Sequence, residues 1–277
     1  MSKPASYSRS GPIGRVVMDD GKLNVMTAEM LTALHRAFDE AERDKAVVVL
    51  GACGKAFSAG FDLKVFADGT AQDIYAMMKL GAELALRLLS FPTPVVAACN
   101  GHALPMGAFL LMSSDVRIAA EGAYGIGMNE VAIALTVPRF AIEIARNRLT
   151  PAYFNRVVTT GQMLPPAEAA AAGFVDWTVP AAELDAAAIQ AAQALSKIDM
   201  AAHAATKQRA RAPRHQGHPR GDRQRHHACF RARARGRSPR GVAKAFDGGR
   251  RRRGAGAART AREWRRGSAR RWRSRAR

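Results

Sequence analysis

Apolar positions recur along most of this chain in two alternating periods, one of about two residues and one of three to four, which predicts strands and helices in turn. Residues 13–18 read as a strand and 19–22 as a turn. Thr27 stands before an apolar stripe of Met30, Leu31, Leu34 and Phe38 at helical spacing, with Glu29 near the positive end of the helix dipole. A short apolar run at 47–50 predicts a buried strand, and a helix over 72–89 ends at Phe-Pro-Thr-Pro, 91–94. A second buried strand follows at 95–98, then a helix at 106–113 and a returning strand at 115–119. Helices are predicted at 137–148, at 152–159 behind Pro151, and at 166–172, where Gly173 closes the last turn. An extended segment at 174–179 leads to an Ala-rich helix over 184–198. The alternation predicts an α/β fold of repeated strand–helix units.

Charge divides the chain in two. Of its 43 Lys and Arg and 23 Asp and Glu, 23 and 3 fall at 214–277, which leaves 20 of each in the rest. Residues 1–212 are thus expected to form a neutral globular domain with one sizeable core. Residues 213–277 lose all periodicity, hold few large apolar side chains, and read as a disordered basic tail. Such a tail admits three readings: an arm for nucleic acid, an extension without a sharp role, or a shifted reading frame near Pro213. Moving the frame of 214–226 forward by one base, with GC-rich codons, restores an apolar residue every three to four positions, which favours the third. The run of arginines at 250–253 reads as a solvated charge block.

Cys53, Cys99 and Cys229 show no close pairing, so a reducing compartment and no disulfide frame are expected. No apolar run approaches the ~18 residues of a spanning helix, and the first residues lack the apolar core of a signal peptide. The expected location is cytoplasmic, away from membranes. No metal-ligand spacing stands out; His226, His227 and Cys229 fall in the discounted tail.

Two Gly/Ala-rich turns carry the candidate chemistry. Ala-Phe-Ser-Ala-Gly-Phe-Asp-Leu-Lys at 56–64 and Asn-Gly-His-Ala-Leu-Pro-Met-Gly at 100–107 each follow an apolar strand. Turns at strand ends can aim two backbone N–H groups at one point, the arrangement that stabilises charge developing on a carbonyl oxygen. These residues, in order over about 11–210, resemble the crotonase (enoyl-CoA hydratase/isomerase) family. The resemblance implies the crotonase-like (ClpP/crotonase) fold, an acyl-CoA substrate, and a homotrimer or dimer of trimers to which C-terminal helices contribute. It implies no resident cofactor, since coenzyme A is part of the substrate, and gives the neutral body no reason to bind nucleic acid.

Carried over residue by residue, the oxyanion donors fall on the backbone N–H of Phe61 and Met106. The CoA and substrate contacts fall on Ala59, Gly60, Asp62, Leu63, Lys64, Gly107 and Phe109. Hydratases of the family use two glutamates. Phe109 stands where the first would be, and the second matches Glu130. The string Tyr-Gly-Ile-Gly-Met-Asn-Glu-Val-Ala-Ile-Ala-Leu at 124–135 is similar to mitochondrial-type Δ3-Δ2-enoyl-CoA isomerases, in which one carboxylate moves the proton. Ile126, Met128, Val131 and Ile133 are expected to surround Glu130 and raise its pKa. Hydration of a 2-enoyl-CoA and a catalytically inactive acyl-CoA-binding protein stand as alternatives, the latter because of Phe109 and the bulky Pro105-Met106. Asp115 is expected to serve structure, Cys99 to be a buried small apolar residue and His102 to be solvated or packed rather than to line the pocket; Ser58 belongs to the CoA turn and not to a nucleophile elbow.

Overall fold

The computed structural model describes residues 3–211. The segment expected to be a disordered tail, with His226, His227, Cys229 and the arginines at 250–253, lies outside them. Strands β1 (Ala5–Ser10) and β2 (Ile13–Met18) pair as an antiparallel hairpin. Next come β3 (Val25–Met26), α1 (Ala28–Arg43), β4 (Val47–Ala52), β5 (Ala56–Ser58), β6 (Gly60–Phe61), α2 (Leu63–Asp68) and α3 (Ala71–Ser90). The chain continues through β7 (Val95–Cys99), β8 (His102–Ala103), α4 (Pro105–Ser113), β9 (Val116–Ala120), α5 (Arg139–Arg148) and α6 (Pro151–Thr160). It closes with α7 (Pro166–Ala172), β10 (Trp177–Val179), α8 (Leu184–Leu195) and α9 (Met200–Arg211).

The main sheet runs β1-β2-β4-β7-β9-β10 and is parallel from β2 onward. Both its faces are covered, as parallel sheets require. Along β4 and β7, Val48, Leu50, Val95, Ala97 and Cys99 point into the larger core under α1, α3 and α4. Their neighbours Val47, Val49, Val96 and Ala98 point the other way, against Leu184, Ala188 and Ala192 of α8. Thr27 caps α1 by accepting from Met30 N at 3.1 Å, and the stripe of Met30, Leu31, Leu34 and Phe38 is fully buried. Each such side chain contributes about 1.5–3 kcal/mol by leaving water. All nine residues of α4 are buried, so the helix that opens at the second Gly turn crosses the core itself.

Two helix boundaries and one whole helix depart from the sequence expectation for identifiable reasons. α5 starts at Arg139 rather than 137, because Pro138 sits extended as its N-cap (ψ 147°). The predicted helix over 184–198 ends at Leu195, and Asp199 accepts Ala202 N at 2.7 Å to begin α9. No apolar stripe marks α9: its inward residues His203, Lys207 and Arg211 recur every four positions and are polar.

Its seat is Asp115. Lys207 Nζ lies 2.6 Å from Oδ2, Arg211 Nη2 lies 2.7 Å from Oδ1, and Val95 N also donates to the carboxylate at 2.8 Å. The Lys207 side chain is only 4% exposed, so the pair is sheltered from water and salt. Asp115 thus has the structural role expected of it. Removing one partner of a buried pair strands the other charge, at a cost of about 3–5 kcal/mol. Asp115→Ala is therefore expected to lower the unfolding free energy measured in urea by that order and to expose α9 to protease. A loss under ~1 kcal/mol would mean that other contacts hold the helix.

Candidate functional site

The two Gly turns are bound to each other before any ligand arrives. β5 and β8 pair in parallel, Ala56 opposite His102 and Ser58 opposite Ala103, and Leu104 N donates to Ser58 O at 2.9 Å. The first turn is held from below by Asn24, which is buried and left-handed (φ 55°). Its side-chain amide donates to Cys53 O and Ala56 O at 2.9 and 2.8 Å. Ser58 Oγ donates to Asn24 O and accepts from Gly60 N, so Ser58 holds the turn.

Glycine is required where the turns touch. Gly60 has φ +87°, and a Cβ there would lie 3.4 Å from Pro105 Cδ. One at Gly107 would lie 3.0 Å from Ser58 Cβ, and one at Gly101 would overlap Lys55 O. Phe61 and Met106 meet across this junction. A Cβ at Gly81 of α3 would stand 2.6 Å from the Phe61 ring and 3.2 Å from Met106 Sδ, so both side chains rest on that one bare spot. Met106 is the second residue of α4, where a helix leaves N–H donors without internal partners.

Glu130 arrives from a third direction. The segment before it is tied to β8 through Gly127 N to Ala103 O (3.1 Å) and to Leu164 through both backbone bonds of Ile126. Glu130 then opens a short 3₁₀ turn, Val131–Ile133. It is 5% exposed, and neither carboxylate oxygen has a hydrogen-bond partner among the described residues; Asn129 Oδ1 beside it has none either. Burial pushes the Glu130 carboxyl up to about 7.

The carboxylate faces a cavity of about 130 Å³ lined by both turns and by the chain after the 3₁₀ turn. Glu130 is the single ionisable side chain in that lining among the described residues. Its apolar surround is partly the expected one. Ile126 and Met128 are buried, whereas Val131 and Ile133 are 44% and 40% exposed. Ile133 nonetheless lines the cavity, and Leu104, Pro105, Leu135 and Pro138 supply much of the rest of the apolar wall.

Of the residues proposed from the sequence, Ala59, Phe61, Leu63 and Glu130 line the cavity. Gly60, Met106 and Gly107 form the junction behind it. Asp62 caps α2 by accepting from Lys64 N at 2.9 Å, and Leu63 and Lys64 are exposed at the rim of the first turn. Phe109 is fully buried in the core, edge-on to Phe140 at 5.6 Å, and is not part of the cavity wall. The side chain at this point of α4 faces the packed interior, so the substrate-contact role drawn for Phe109 is not where the helix puts it.

Phe66 and Met78 line the cavity without having been singled out, and Asn129, the neighbour of Glu130 in the isomerase-like string, lines it too. His102 is exposed, its Nδ1 accepting from Gly125 N at 3.2 Å, and Cys99 is buried with its thiol pushed up to about 12. Among the described residues no cluster of His, Cys, Asp or Glu is placed to hold a metal, and no helix is long and apolar enough to cross a membrane.

The profile of the enoyl-CoA hydratase/isomerase family matches residues 8–236 of the chain. A carnitinyl-CoA dehydratase of Salmonella typhi is 32% identical over 212 residues, 75% of this chain and 80% of that protein. The solved structure of a probable enoyl-CoA hydratase of Mycobacterium tuberculosis H37Rv is 43% identical, with a TM-score of 0.73, over 76% of this chain and 89% of that one. Human mitochondrial Δ3-Δ2-enoyl-CoA isomerase is 27% identical, with a TM-score of 0.72, over 75% and 83%.

The raised pKa of Glu130 has a stability signature. Between its ordinary value of 4.5 and about 7 the folded state binds a proton that the unfolded state has lost. The stability this group contributes is full below the lower value and is lost as pH rises through the upper one. Glu130→Gln removes the ionisation, so it should change the melting temperature little at about pH 4 and stabilise the fold by about 3 kcal/mol at about pH 8. An equal effect at both pH values would contradict a buried, partnerless carboxyl.

Proposed function

The chain belongs to the enoyl-CoA hydratase/isomerase family of enzymes, with the crotonase-like α/β fold, and from that premise we propose that it moves the double bond of a 3-enoyl-CoA to the 2-position. The observation that carries this reading is the lone carboxylate: Glu130 is the single ionisable group lining the cavity among the described residues. Hydration is best served by two carboxylates orienting one water. Isomerisation needs one.

In the proposed reaction Glu130 takes the proton from the alpha carbon, and the electron pair moves onto the thioester oxygen. The N–H groups of Phe61 and Met106 hold that enolate oxygen, an effect worth about 3–4 kcal/mol per donor in comparable sites. The protonated Glu130 then returns the proton at the gamma carbon, and the double bond emerges conjugated with the carbonyl. A carboxyl with a pKa near 7 suits both steps, because it neither holds nor sheds its proton too firmly at neutral pH. The apolar wall excludes water that would compete for the intermediate.

On the same reading coenzyme A is the handle of the substrate, held along Ala59, Gly60, Asp62, Leu63 and Lys64. The same reading has the protein work in the cytoplasm, as a homotrimer or a dimer of trimers. Hydration of a 2-enoyl-CoA stands as a second reading, favoured by the unpartnered Asn129 Oδ1, an acceptor suited to a water beside Glu130.

Offering 3-enoyl-CoA and 2-enoyl-CoA side by side separates the two: turnover of the first alone supports isomerisation, turnover of the second alone supports hydration. Glu130→Gln is expected to lower isomerase kcat by about 10²–10⁴-fold with CoA-ester affinity nearly unchanged. Strong residual turnover would point to another base. Phe109→Glu is expected to lose several kcal/mol of stability, by burying a charge where Phe140 packs, rather than to gain hydratase activity.

A further inference from the structure

We propose that Gly161 is the positioning residue for Glu130: by having no side chain it provides the seat on which the turn carrying the carboxylate rests. Part of the claim builds on Glu130 as proton carrier, and part is independent of catalysis. With neither oxygen hydrogen-bonded among the described residues, the Glu130 carboxylate is placed by its backbone and by packing alone. That backbone is a single 3₁₀ turn, closed by Ile133 N and Leu135 N on Glu130 O at 3.0 and 2.9 Å, with Ala134 left-handed at φ 60°.

The turn is too short to hold itself, and what it lies on is the C-terminus of α6. A Cβ at Gly161 would stand 2.8 Å from Ala132 N and 3.1 Å from Ala132 Cβ. Backbone nitrogen cannot move aside as a flexible side chain can, so any side chain at 161 must push the turn away. The support continues beneath the approach to Glu130. A Cβ at Gly127 would lie 3.0 Å from Gln162 O, and Leu164 exchanges both backbone bonds with Ile126.

Gly161 also closes α6 in the left-handed conformation, φ 68°, its N–H bonded to Val157 O. Asparagine commonly fills that capping role. The two roles therefore separate by substitution. A pure cap tolerates Gly161→Asn, whereas a seat rejects both Gly161→Asn and Gly161→Ala. Gly11, left-handed at φ 57° with nothing within 4 Å of its Cβ position, supplies the control for backbone strain alone.

The test uses the full chain. Both Gly161 variants are expected to lower isomerase kcat by roughly 10–100-fold, the scale of a displacement near 1 Å, with KM changed less than about twofold. The pH midpoint of kcat/KM should fall from about 7 toward the ordinary carboxylate range as Glu130 gains water. Gly11→Ala should leave both unchanged. Independently of turnover, the rise in melting temperature that Glu130→Gln brings at about pH 8 should shrink by half or more in a Gly161→Asn background.

Wild-type kinetics in Gly161→Asn, or an undiminished Glu130→Gln rise in that background, would overturn the proposal. If Gly161→Ala fails to fold, Gly161→Asn carries the same readouts. Turnover that survives Glu130→Gln would sink the catalytic reading while leaving the stability coupling to judge the seat.

Discussion

Everything at the cavity depends on how closely two backbone segments can approach. The bond from Leu104 N to Ser58 O joins the first turn to the second. Gly101 and Gly107 remove the side chains that would hold them apart, and Gly60 supplies the left-handed backbone of the first turn. An N–H aimed at a carbonyl oxygen stabilises charge only if it is already in place when the charge develops, since reorientation during the reaction would consume the gain. Cross-pairing of β5 with β8, underpinned by Asn24, provides that rigidity with main-chain atoms. The parallel sheet sets the two turns at adjacent strand ends; the glycines let them close.

Onto this rigid junction the chain sets a group that is badly solvated. A carboxylate with no partner in an apolar wall opposes folding at neutral pH, and its surroundings must hold it there. The structure meets that demand with apolar residues on either side, buried Ile126 and Met128 before the carboxylate and half-buried Leu104 with Pro105 across from it. Elsewhere buried charge is treated in the opposite way. Asp115 receives Lys207, Arg211 and a backbone N–H, with both oxygens satisfied. Completion at Asp115 and omission at Glu130 separate a carboxylate that serves structure from one left free for the chemistry proposed above.

The sequence discloses what periodicity governs. Residues 13–18, 47–50, 95–98 and 115–119 read as strands because both faces of a parallel sheet want apolar side chains, and α1 reads as a helix from its stripe of Met30, Leu31, Leu34 and Phe38. The two-residue strands β3, β6 and β8 carry no period and were not legible. Nor was α9, whose inward face follows helical spacing in His203, Lys207 and Arg211 but is polar. At the site, the raised pKa of Glu130 follows from the apolar string around it. Motif order, however, cannot tell which side of α4 faces the substrate, so Phe109 is found in the core. Val131 and Ile133 are exposed because a 3₁₀ turn, unlike a strand, does not alternate its faces between core and solvent.

The glycines have a consequence for how such a protein changes over generations. The cavity wall is built largely of apolar side chains such as Leu63, Phe66, Met78 and Leu135, so a lineage can exchange them one at a time and reshape the cavity on an intact frame. The empty positions at 81, 101, 107 and 161 offer no such freedom, for a single methyl group at any of them crowds a neighbouring atom, and at 60 it would strain a left-handed backbone. Innovation is therefore open at the cavity wall and closed at the places where the structure holds nothing at all.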